Sequence, residues 1–480
     1  MYILVIDQGT SSTRAILFNF QGQIITQSSF PLTQYFPKPG WVEHCPEEIW
    51  RHTIQALKRV CLQVKTSEIL GLAITNQRET SLIWDKHTGK CLSKAVVWQD
   101  RRTQNLCSQL EGYNSLIHKK TGLKCDPYFS ATKIKWLMDE YHPNLQNVLF
   151  GTIDSFLLWR LTNGKSHKTD VTNASRTLLC NIHNQSWDEE LLEIFNIPNI
   201  ILPEICSSDA NYGDLDPSLL GFSCPIHAII GDQQSALIGI GCIEPGDIKV
   251  TYGTGGFVML NTGHTPHSSQ HGLLSTVAYK IQNQTFYASE GNINDAGSLM
   301  PWLRDQLELI ENYEESGKIA SSVESSDGVY FIPSFSGIGA PHWIRQCGAA
   351  FTGLSRSTTK AHLVRATLES IAFQTKDILN TMRQETNINI SRLKVDGGIV
   401  NNQWFLNFLS ALDDALIHVP CTFENTAKGA AMIVTLKYSP ESSLNSISKQ
   451  WQRDTILPSH FCFTTQNAYK GWQRVISEIK

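Results

Sequence analysis

Two short polar turns have the residue types that can hold a phosphate chain. Residues 7–13 follow an apolar segment near the N-terminus, and residues 252–256 follow another in the second half of the chain. Glycine and small hydroxyl residues let several backbone N–H groups converge on one anion. An ordinary hairpin turn explains either turn alone, but the recurrence favours phosphate. The Gly-Lys-Ser sequence at 164–166 has Trp159 where a P-loop begins with glycine, which excludes a P-loop ATPase.

Asp232 lies directly after an apolar segment and before a short helix-like one, residues 235–238. Ligands of α/β proteins bind outside the carboxyl ends of the strands, where this carboxylate is expected. The positive end of the following helix favours the ionised form, which a general base requires. An aspartate that merely caps the helix has the same local pattern, so that alternative stays open.

Arg78 and Glu79 follow a second apolar segment. The guanidinium of Arg78 offers several hydrogen-bond donors, and the carboxylate of Glu79 offers an acceptor beside them. That combination recognises neighbouring hydroxyls on a polyol. Trp98 and Tyr128 could add an apolar wall and a phenolic hydrogen bond. A solvated ion pair and a core tryptophan fit the same residues taken singly.

The elements that must position these groups alternate between strands and helices, which indicates the α/β class. Residues 2–6, 15–18, 69–75, 81–84 and 95–98 are predicted strands, and a helix is expected from Pro46 to about residue 64. Residues 248–252 and 257–261 repeat the pattern of strand, polar turn and strand. We therefore expect two similar domains, residues 1–243 and 244–480.

Composition restricts the function to small-molecule chemistry. The 480 residues are 41% hydrophobic and 18% charged, which excludes a disordered or fibrous protein, and the net charge of −4 gives no attraction to nucleic acid or anionic membranes. The 12 cysteines form no CxxC pair, which favours free thiols and a cytoplasmic location. His264, His267 and His271 are expected in a solvated loop rather than at a metal.

Nine stretches resemble the FGGY family of carbohydrate kinases, most closely the members that act on glycerol, with matches from residue 2 to about 435. The stretches are residues 7–12 (DQGTSS), 37–44 (PKPGWVEH), 75–80 (TNQRET), 97–103 (VWQDRRT), 126–135 (DPYFSATKIK), 172–176 (TNASR), 231–234 (GDQQ), 252–255 (YGTG) and 396–398 (DGG). The resemblance implies two actin-like, ribonuclease H-like domains with a cleft between them. It also implies ATP-dependent phosphorylation of glycerol to sn-glycerol 3-phosphate.

The resemblance also assigns the site, residue by residue. Asp232 would be the catalytic base, and Asp7 would help to place Mg²⁺ through water. The glycerol hydroxyls would be bound by Arg78, Glu79, Tyr128, Asp232 and Gln233, with Trp98 and Phe257 on the carbon skeleton. The nucleotide would be held by Thr10, Ser11, Ser12, Arg14, Thr254, Gly297, Gly398 and Asn402.

Several positions depart from the family pattern on the expected nucleotide side: Pro301, Ile344, Arg345, Cys347 and Lys428. The glycine-rich loop that resembles a fructose-1,6-bisphosphate site in some relatives does not occur between Tyr212 and Asp232. The family often forms homodimers or homotetramers, which is the expected assembly. A sibling kinase for another short polyol or a ketose, and an actin-like nucleotide-binding protein without turnover, remain alternatives.

Overall fold

The computed structural model describes residues 1–344, 347–421, 424–458 and 463–479, which build two large sheets, a third sheet of five shorter strands, three two-stranded sheets and the helices that flank them. The strands before residue 244 are β1 (Tyr2–Gln8), β2 (Ser12–Asn19), β3 (Ile24–Pro31), β4 (Gln34–Tyr35), β5 (Glu43–His44), β6 (Ile69–Asn76), β7 (Ser81–Asp85), β8 (Ala95–Val96), β9 (Val148–Thr152), β10 (Lys168–Asp170), β11 (Cys180–Asn181), β12 (Ser186–Trp187), β13 (Glu204–Cys206) and β14 (Ile226–Gly231). The later strands are β15 (Ile248–Tyr252), β16 (Gly256–Gly263), β17 (Leu274–Ile281), β18 (Gln284–Ile293), β19 (Tyr330–Ile332), β20 (Ala350–Thr352), β21 (Arg392–Gly397), β22 (Leu416–Pro420) and β23 (Asp454–Leu457).

Helices cover the sheets in both halves of the chain. The α-helices before residue 244 are α1 (Pro46–Cys61), α2 (Gln104–Gln109), α3 (Asn114–Thr121), α4 (Ser130–Tyr141), α5 (Ile153–Leu161), α6 (Val171–Ala174), α7 (Glu189–Phe195), α8 (Pro217–Leu220) and α9 (Asp232–Gly239). The later ones are α10 (Leu299–Asp305), α11 (Tyr313–Ser321), α12 (Lys360–Thr386), α13 (Gln403–Asp413), α14 (Asn425–Lys437), α15 (Leu444–Trp451) and α16 (Phe463–Glu478). Short 3₁₀ turns occupy Thr66–Glu68, Glu111–Tyr113, Asn199–Ile201 and Gly398–Asn401.

The first large sheet has the strand order β14-β6-β1-β2-β3. β1 pairs antiparallel with β2 and parallel with β6, and β14 pairs parallel with β6. Buried apolar residues on both faces of β1 stabilise its central place between two neighbours. Because β1, β6 and β14 run in the same direction, their carboxyl ends meet at one edge of the sheet.

The second large sheet repeats this arrangement. Its order is β17-β18-β16-β15-β21-β22-β23, with β15 antiparallel to β16 and parallel to β21. β15, β16 and β21 therefore correspond to β1, β2 and β6. The predicted repeat of strand, polar turn and strand is present in both halves, although the turns are shorter than predicted. They span residues 9–11 and 253–255, because the flanking residues pair in the strands.

Two predicted elements end earlier in the structure than the sequence indicated. Helix α1 ends at Cys61, so Val64 lies beyond it. The strand predicted at 95–98 is only Ala95–Val96, because the Trp98 backbone N–H donates to the Thr80 hydroxyl at 3.3 Å instead of to a neighbouring strand. Trp98 is thereby turned out of the sheet.

Helices α9 and α14, which come from different halves of the chain, cross in close contact. A β-carbon on Gly239 would lie 1.9 Å from the Asn425 carbonyl oxygen, and one on Gly429 would lie 1.8 Å from the Ser235 carbonyl oxygen. The same region buries apolar side chains of β1 and α14 in one cluster. The crossing therefore requires glycine at both positions.

We expect Gly429→Ala to destabilise the protein by about 1–3 kcal/mol, the usual cost of overpacking a tight contact, despite the higher helix propensity of alanine. Urea unfolding followed by tryptophan fluorescence measures the change in midpoint. Gly112→Ala is the matched control, because a β-carbon there has no heavy atom within 4 Å. Equal midpoints for the two variants would show that the helix crossing tolerates a side chain.

Two further features bear on the environment of the protein. Among the described residues, every helix is too short or too polar to span a bilayer. No disulfide joins the cysteines of the described part of the chain.

Candidate active site

A solvent-connected cavity of about 260 Å³ lies between the ends of the two large sheets. It contains ten of the predicted site residues: Thr10, Ser11, Arg78, Glu79, Trp98, Tyr128, Asp232, Gln233, Thr254 and Phe257. Gln34, Gln99, Thr251, Gly253 and Gly255 complete the lining. The cavity thus combines a carboxylate, hydrogen-bonding groups, an aromatic wall and both polar turns.

Asp232 is the first residue of α9, directly after the carboxyl end of β14. The N-cap position belongs to Gly231, so the open alternative of a capping aspartate is wrong, although Asp232 Oδ1 accepts the Gln233 backbone N–H at 2.7 Å. The side chain is 25% exposed and lies 3.6 Å from Arg78 Nε. Burial raises the pKa of Asp232 to about 6, with Glu79 and Asp7 acting in the same direction and Arg78 against them.

Arg78 and Glu79 form a strained turn after β6. Glu79 has φ 61°, and the Thr80 N–H donates to the Arg78 carbonyl at 2.7 Å across it. The hydroxyls of Ser81 and Ser130 hold the Glu79 carbonyl at 2.9 and 3.1 Å. Arg78 is 2% exposed and Glu79 is 1% exposed, so the alternative of a solvated ion pair is wrong. The strained backbone lies at the point where the side chains of Arg78 and Glu79 enter the cavity.

Two charged residues that sequence reasoning did not assign to the site complete a buried network. Glu290, from β18, accepts hydrogen bonds from Arg78 Nη1 at 2.8 Å and from Arg176 Nη2 at 2.9 Å. Arg176 Nε in turn donates to Glu79 Oε1 at 2.7 Å. Arg176 stands in the TNASR stretch, whereas Glu290, a single carboxylate among the mixed polar and apolar residues 284–293, carries no local signal of its role.

Burial alone would raise the pKa of Glu290. The guanidiniums of Arg176 and Arg78 outweigh burial and lower that pKa to about 2. Glu290 is therefore ionised at neutral pH and fixes both arginines.

A set of amide and hydroxyl bonds joins the strand ends beneath this network. The side-chain amides of Asn76 and Asn173 bond to each other twice at 3.0 Å, and the Thr172 hydroxyl accepts the Gly231 N–H at 2.9 Å. Asp170 binds the Thr172 hydroxyl at 2.8 Å. These bonds fix the backbone immediately before Asp232.

The apolar side of the cavity consists of three aromatic rings. The Trp98 and Tyr128 rings meet edge to face with centroids 5.6 Å apart, and Phe257 lies 6.5 Å from Trp98. Trp98 Nε1 donates to the Thr10 hydroxyl at 2.9 Å, which links this wall to the first polar turn. The rings offer a surface on which a short carbon chain can pack.

The second polar turn lies against Gly297. The Gly297 N–H donates to the Gly253 carbonyl at 2.9 Å, and a β-carbon on Gly297 would lie 2.3 Å from that oxygen. Gly398 begins the 3₁₀ turn after β21 and has open space around its Cα. Asn402 caps α13 through its side-chain oxygen and donates to the Ser316 hydroxyl at 3.0 Å. Gly297, Gly398 and Asn402 lie outside the lining of the cavity.

Arg14 and Asp7 form an ion pair at the base of the first polar turn, beside Ser12. Arg14 Nη1 also contacts Glu424 at 2.6 Å. The remaining predicted residues, Asp7, Ser12 and Arg14, are likewise outside the lining of the cavity.

The carboxylates present fit a magnesium ion that is held mostly by phosphate and water. No group of three or more metal-binding side chains occurs in the described part of the chain. Mg²⁺ usually takes one or two carboxylates and keeps several waters or phosphate oxygens. Asp7 lies at the end of β1, and Asp396, at the corresponding end of β21, has a buried Oδ1 without a partner among the described residues.

The residues that depart from the family pattern lie in the second half of the chain. Pro301 is inside α10, and Ile344 lines a neighbouring cavity. Cys347 Sγ contacts the Ser334 hydroxyl at 2.9 Å. Lys428 is buried in α14, where burial lowers its pKa to about 8. Arg345 lies outside the described residues.

Comparison with known proteins gives matches over the whole chain. The model of the FGGY family of carbohydrate kinases, N-terminal domain, matches residues 2–239, and that of the C-terminal domain matches residues 248–437. Glycerol kinase of Bacillus cereus (strain AH187) is 45% identical over 491 residues, covering 100% of this chain and 99% of that protein. A glycerol kinase of Bacillus anthracis (strain CDC 684 / NRRL 3495) matches equally.

Solved structures agree with these matches. The crystal structure of Plasmodium falciparum glycerol kinase with ADP has a TM-score of 0.93 and 36% identity, and covers 100% of this chain and 98% of that one. Gluconate kinase from Lactobacillus acidophilus has a TM-score of 0.90 at 20% identity, with 100% and 97% coverage, and supports the fold alone. The predicted fold class, α/β with two actin-like domains and a cleft, is confirmed.

Proposed function

The chain belongs to the FGGY family of carbohydrate kinases, and from this premise we propose that it transfers the γ-phosphoryl group of ATP to glycerol, giving sn-glycerol 3-phosphate. The observation that carries the proposal is the meeting of Asp232, Arg78 and Glu79 with the aromatic wall in one cavity. Full-length relatives at 45% identity are glycerol kinases, which supports this substrate.

In the proposed reaction, Arg78 and Glu79 bind adjacent hydroxyls of the triol while Trp98 and Phe257 contact its carbon atoms. Asp232 accepts the proton of the terminal hydroxyl as the oxygen attacks the γ-phosphorus and the bond to the β-phosphate oxygen breaks. Phosphoryl transfer has a loose transition state, so alignment and charge neutralisation contribute most of the rate. A carboxylate with a raised pKa is a suitable base for this step.

The two polar turns would bind the triphosphate from opposite sides. Thr10 and Ser11 approach from the first half of the chain, and Thr254 approaches from the second. Mg²⁺ would neutralise negative charge on the transferred phosphoryl group, with Asp7 as its protein contact through water. Arg14 would exchange its Asp7 and Glu424 contacts for a phosphate.

We further propose the boundary between residues 243 and 244, a cytoplasmic location and a homodimer or homotetramer. The boundary falls between the two matched family segments. Cysteines without disulfides, as in the described part of the chain, are typical of a reducing compartment. The assembly is proposed by analogy with the family alone.

A coupled ADP-release assay tests the activity. With MgATP and glycerol we expect ADP formation that depends on glycerol, and weaker activity with erythritol, xylitol and xylulose. A faster rate with another polyol or a ketose would identify a sibling kinase. ATP binding without polyol-dependent ADP release would indicate a nucleotide-binding protein without turnover.

The raised pKa of Asp232 predicts the acidic limb of the pH profile. Because the base must be ionised, kcat/KM for glycerol should fall about tenfold per pH unit below about pH 6. An ordinary aspartate would place this limb about two units lower. The measurement uses saturating MgATP at each pH, and return of acid-treated enzyme to pH 7.5 checks that it has not unfolded. A limb near pH 4 would contradict the assignment.

A further inference from the structure

Glu290 joins the two halves of the chain at the proposed polyol site. It lies on β18 of the second large sheet, whereas Arg78 and Arg176 belong to the first half. Both carboxylate oxygens of Glu290 accept hydrogen bonds from these arginines, and its side chain is fully buried. Arg78 is otherwise bound only weakly, with Nη1 3.2 Å from Gln234 Oε1 and Nε 3.6 Å from Asp232 Oδ1. Glu290 therefore provides the shortest contact that fixes the Arg78 guanidinium.

Arg176 makes the corresponding contact for Glu79. Its Nε donates to Glu79 Oε1 while its Nη2 holds Glu290, so one guanidinium spans two carboxylates. The Arg176 guanidinium also lies over the Phe129 and Tyr128 rings, at 5.1 and 5.6 Å. Since Arg176 is outside the cavity lining, it acts on the substrate through the residues it contacts: Glu79, Tyr128 and Glu290, which in turn holds Arg78.

We propose that Glu290 and Arg176 are positioning residues that hold Arg78 and Glu79 for the polyol and set the charge felt by the base, Asp232. This inference rests on the proposed glycerol kinase activity and adds two residues to it. Neither would touch the substrate. Glu290 neutralises Arg78 and so weakens its pull on Asp232, whereas Arg176 adds positive charge on the far side of Glu79 and Glu290.

Glu290 and Arg176 shift the ionisation of Asp232 in opposite directions. Removing the negative charge of Glu290 leaves Arg78 less compensated, which favours ionised Asp232 at lower pH. Removing the positive charge of Arg176 has the reverse effect. The other charged groups that face Asp232 are Glu79, Asp7 at the end of β1 and Lys249 on β15, and none of them changes in these variants.

The test compares kcat/KM profiles for glycerol in Glu290→Gln and Arg176→Met at saturating MgATP. We expect the acidic limb to move down by about one pH unit in the first variant and up by a similar amount in the second. The KM for glycerol should rise about tenfold in each, the effect of losing one hydrogen bond to a charged group. A general loosening of the fold would not move the limb in opposite directions.

Three companion variants keep the test decisive if a single charge change destabilises the protein. The double variant Glu290→Gln/Arg176→Met removes one charge of each sign. Its acidic limb in the kcat/KM profile should return toward the position of the wild type. Glu290→Asp keeps the charge at a shorter reach, so its limb should stay in place while the KM rises. Asp413→Asn is the matched control, because Asp413 is a buried carboxylate with Lys376 and Arg383 at 2.8 and 2.6 Å, outside the cavity lining.

The Asp413→Asn variant should lose stability without any change in limb or KM. An unmoved limb and unchanged KM in folded Glu290→Gln, or shifts of the same sign in both single variants, would overturn the inference. Absence of glycerol-dependent ADP release in the wild type would instead overturn the proposed function, so the two failures are distinguishable.

Discussion

Asp232→Asn should lower kcat with glycerol by about 10²–10⁴-fold, because the amide keeps the shape of the side chain but cannot accept the proton of the terminal hydroxyl. The KM for ATP should change little, since the carboxylate acts at the polyol end of the cavity. The coupled ADP-release assay measures both constants.

Asp154→Asn is the control for this experiment. Asp154 is also a buried carboxyl whose pKa is raised by burial, but it binds the hydroxyls of Thr152 and Thr169 outside the cavity lining. Its kcat should stay near that of the wild type. A kcat for Asp232→Asn within about threefold of that control would remove Asp232 from the role of base, because loss of a general base costs at least about 10²-fold.

Arg78→Lys should raise the KM for glycerol by about 10²-fold with a smaller change in kcat. Lysine keeps the positive charge but not the planar fork that contacts Glu290 and the substrate together. The compact ammonium cannot replace two directed donors, so binding is lost in the ground state and the transition state alike. Steady-state kinetics with varied glycerol measures this split.

Arg102→Lys provides the comparison for Arg78→Lys. Arg102 is equally buried and contacts Asp100 and Glu43 at 2.8 and 2.9 Å, but it lies outside the cavity lining. Its replacement should lower stability and leave the KM for glycerol unchanged. If Arg78→Lys bound glycerol as well as Arg102→Lys does, Arg78 would not be a polyol ligand.

Asp232 and Arg78 are neighbours in the structure for a simple geometric reason. Each follows an apolar strand, and parallel strands end at the same edge of a sheet. The register confirms the arrangement, since Asn76 pairs with Gln8 on one side and with Gly231 on the other. Short-range patterns placed each group after a strand, but the resemblance to the family was needed to assign both to one site.

Other features depend on contacts that no local pattern contains. Glu290 meets Arg78 across 212 positions of sequence, and only the packing of the second sheet against the first brings them together. The glycine pair at Gly239 and Gly429 likewise has meaning only once α9 and α14 cross. Trp98 lies outside the strand predicted at 95–98 because its backbone N–H donates to the Thr80 hydroxyl.

In the proposed complex, the Asp232 carboxylate faces a terminal hydroxyl of glycerol. A crystal structure of the protein with glycerol, Mg²⁺ and a non-hydrolysable ATP analogue measures this distance directly. We expect a terminal hydroxyl oxygen within about 2.6–3.2 Å of an Asp232 oxygen and in line with the γ-phosphorus. Glycerol bound elsewhere, or with Asp232 turned away from every hydroxyl, would contradict it.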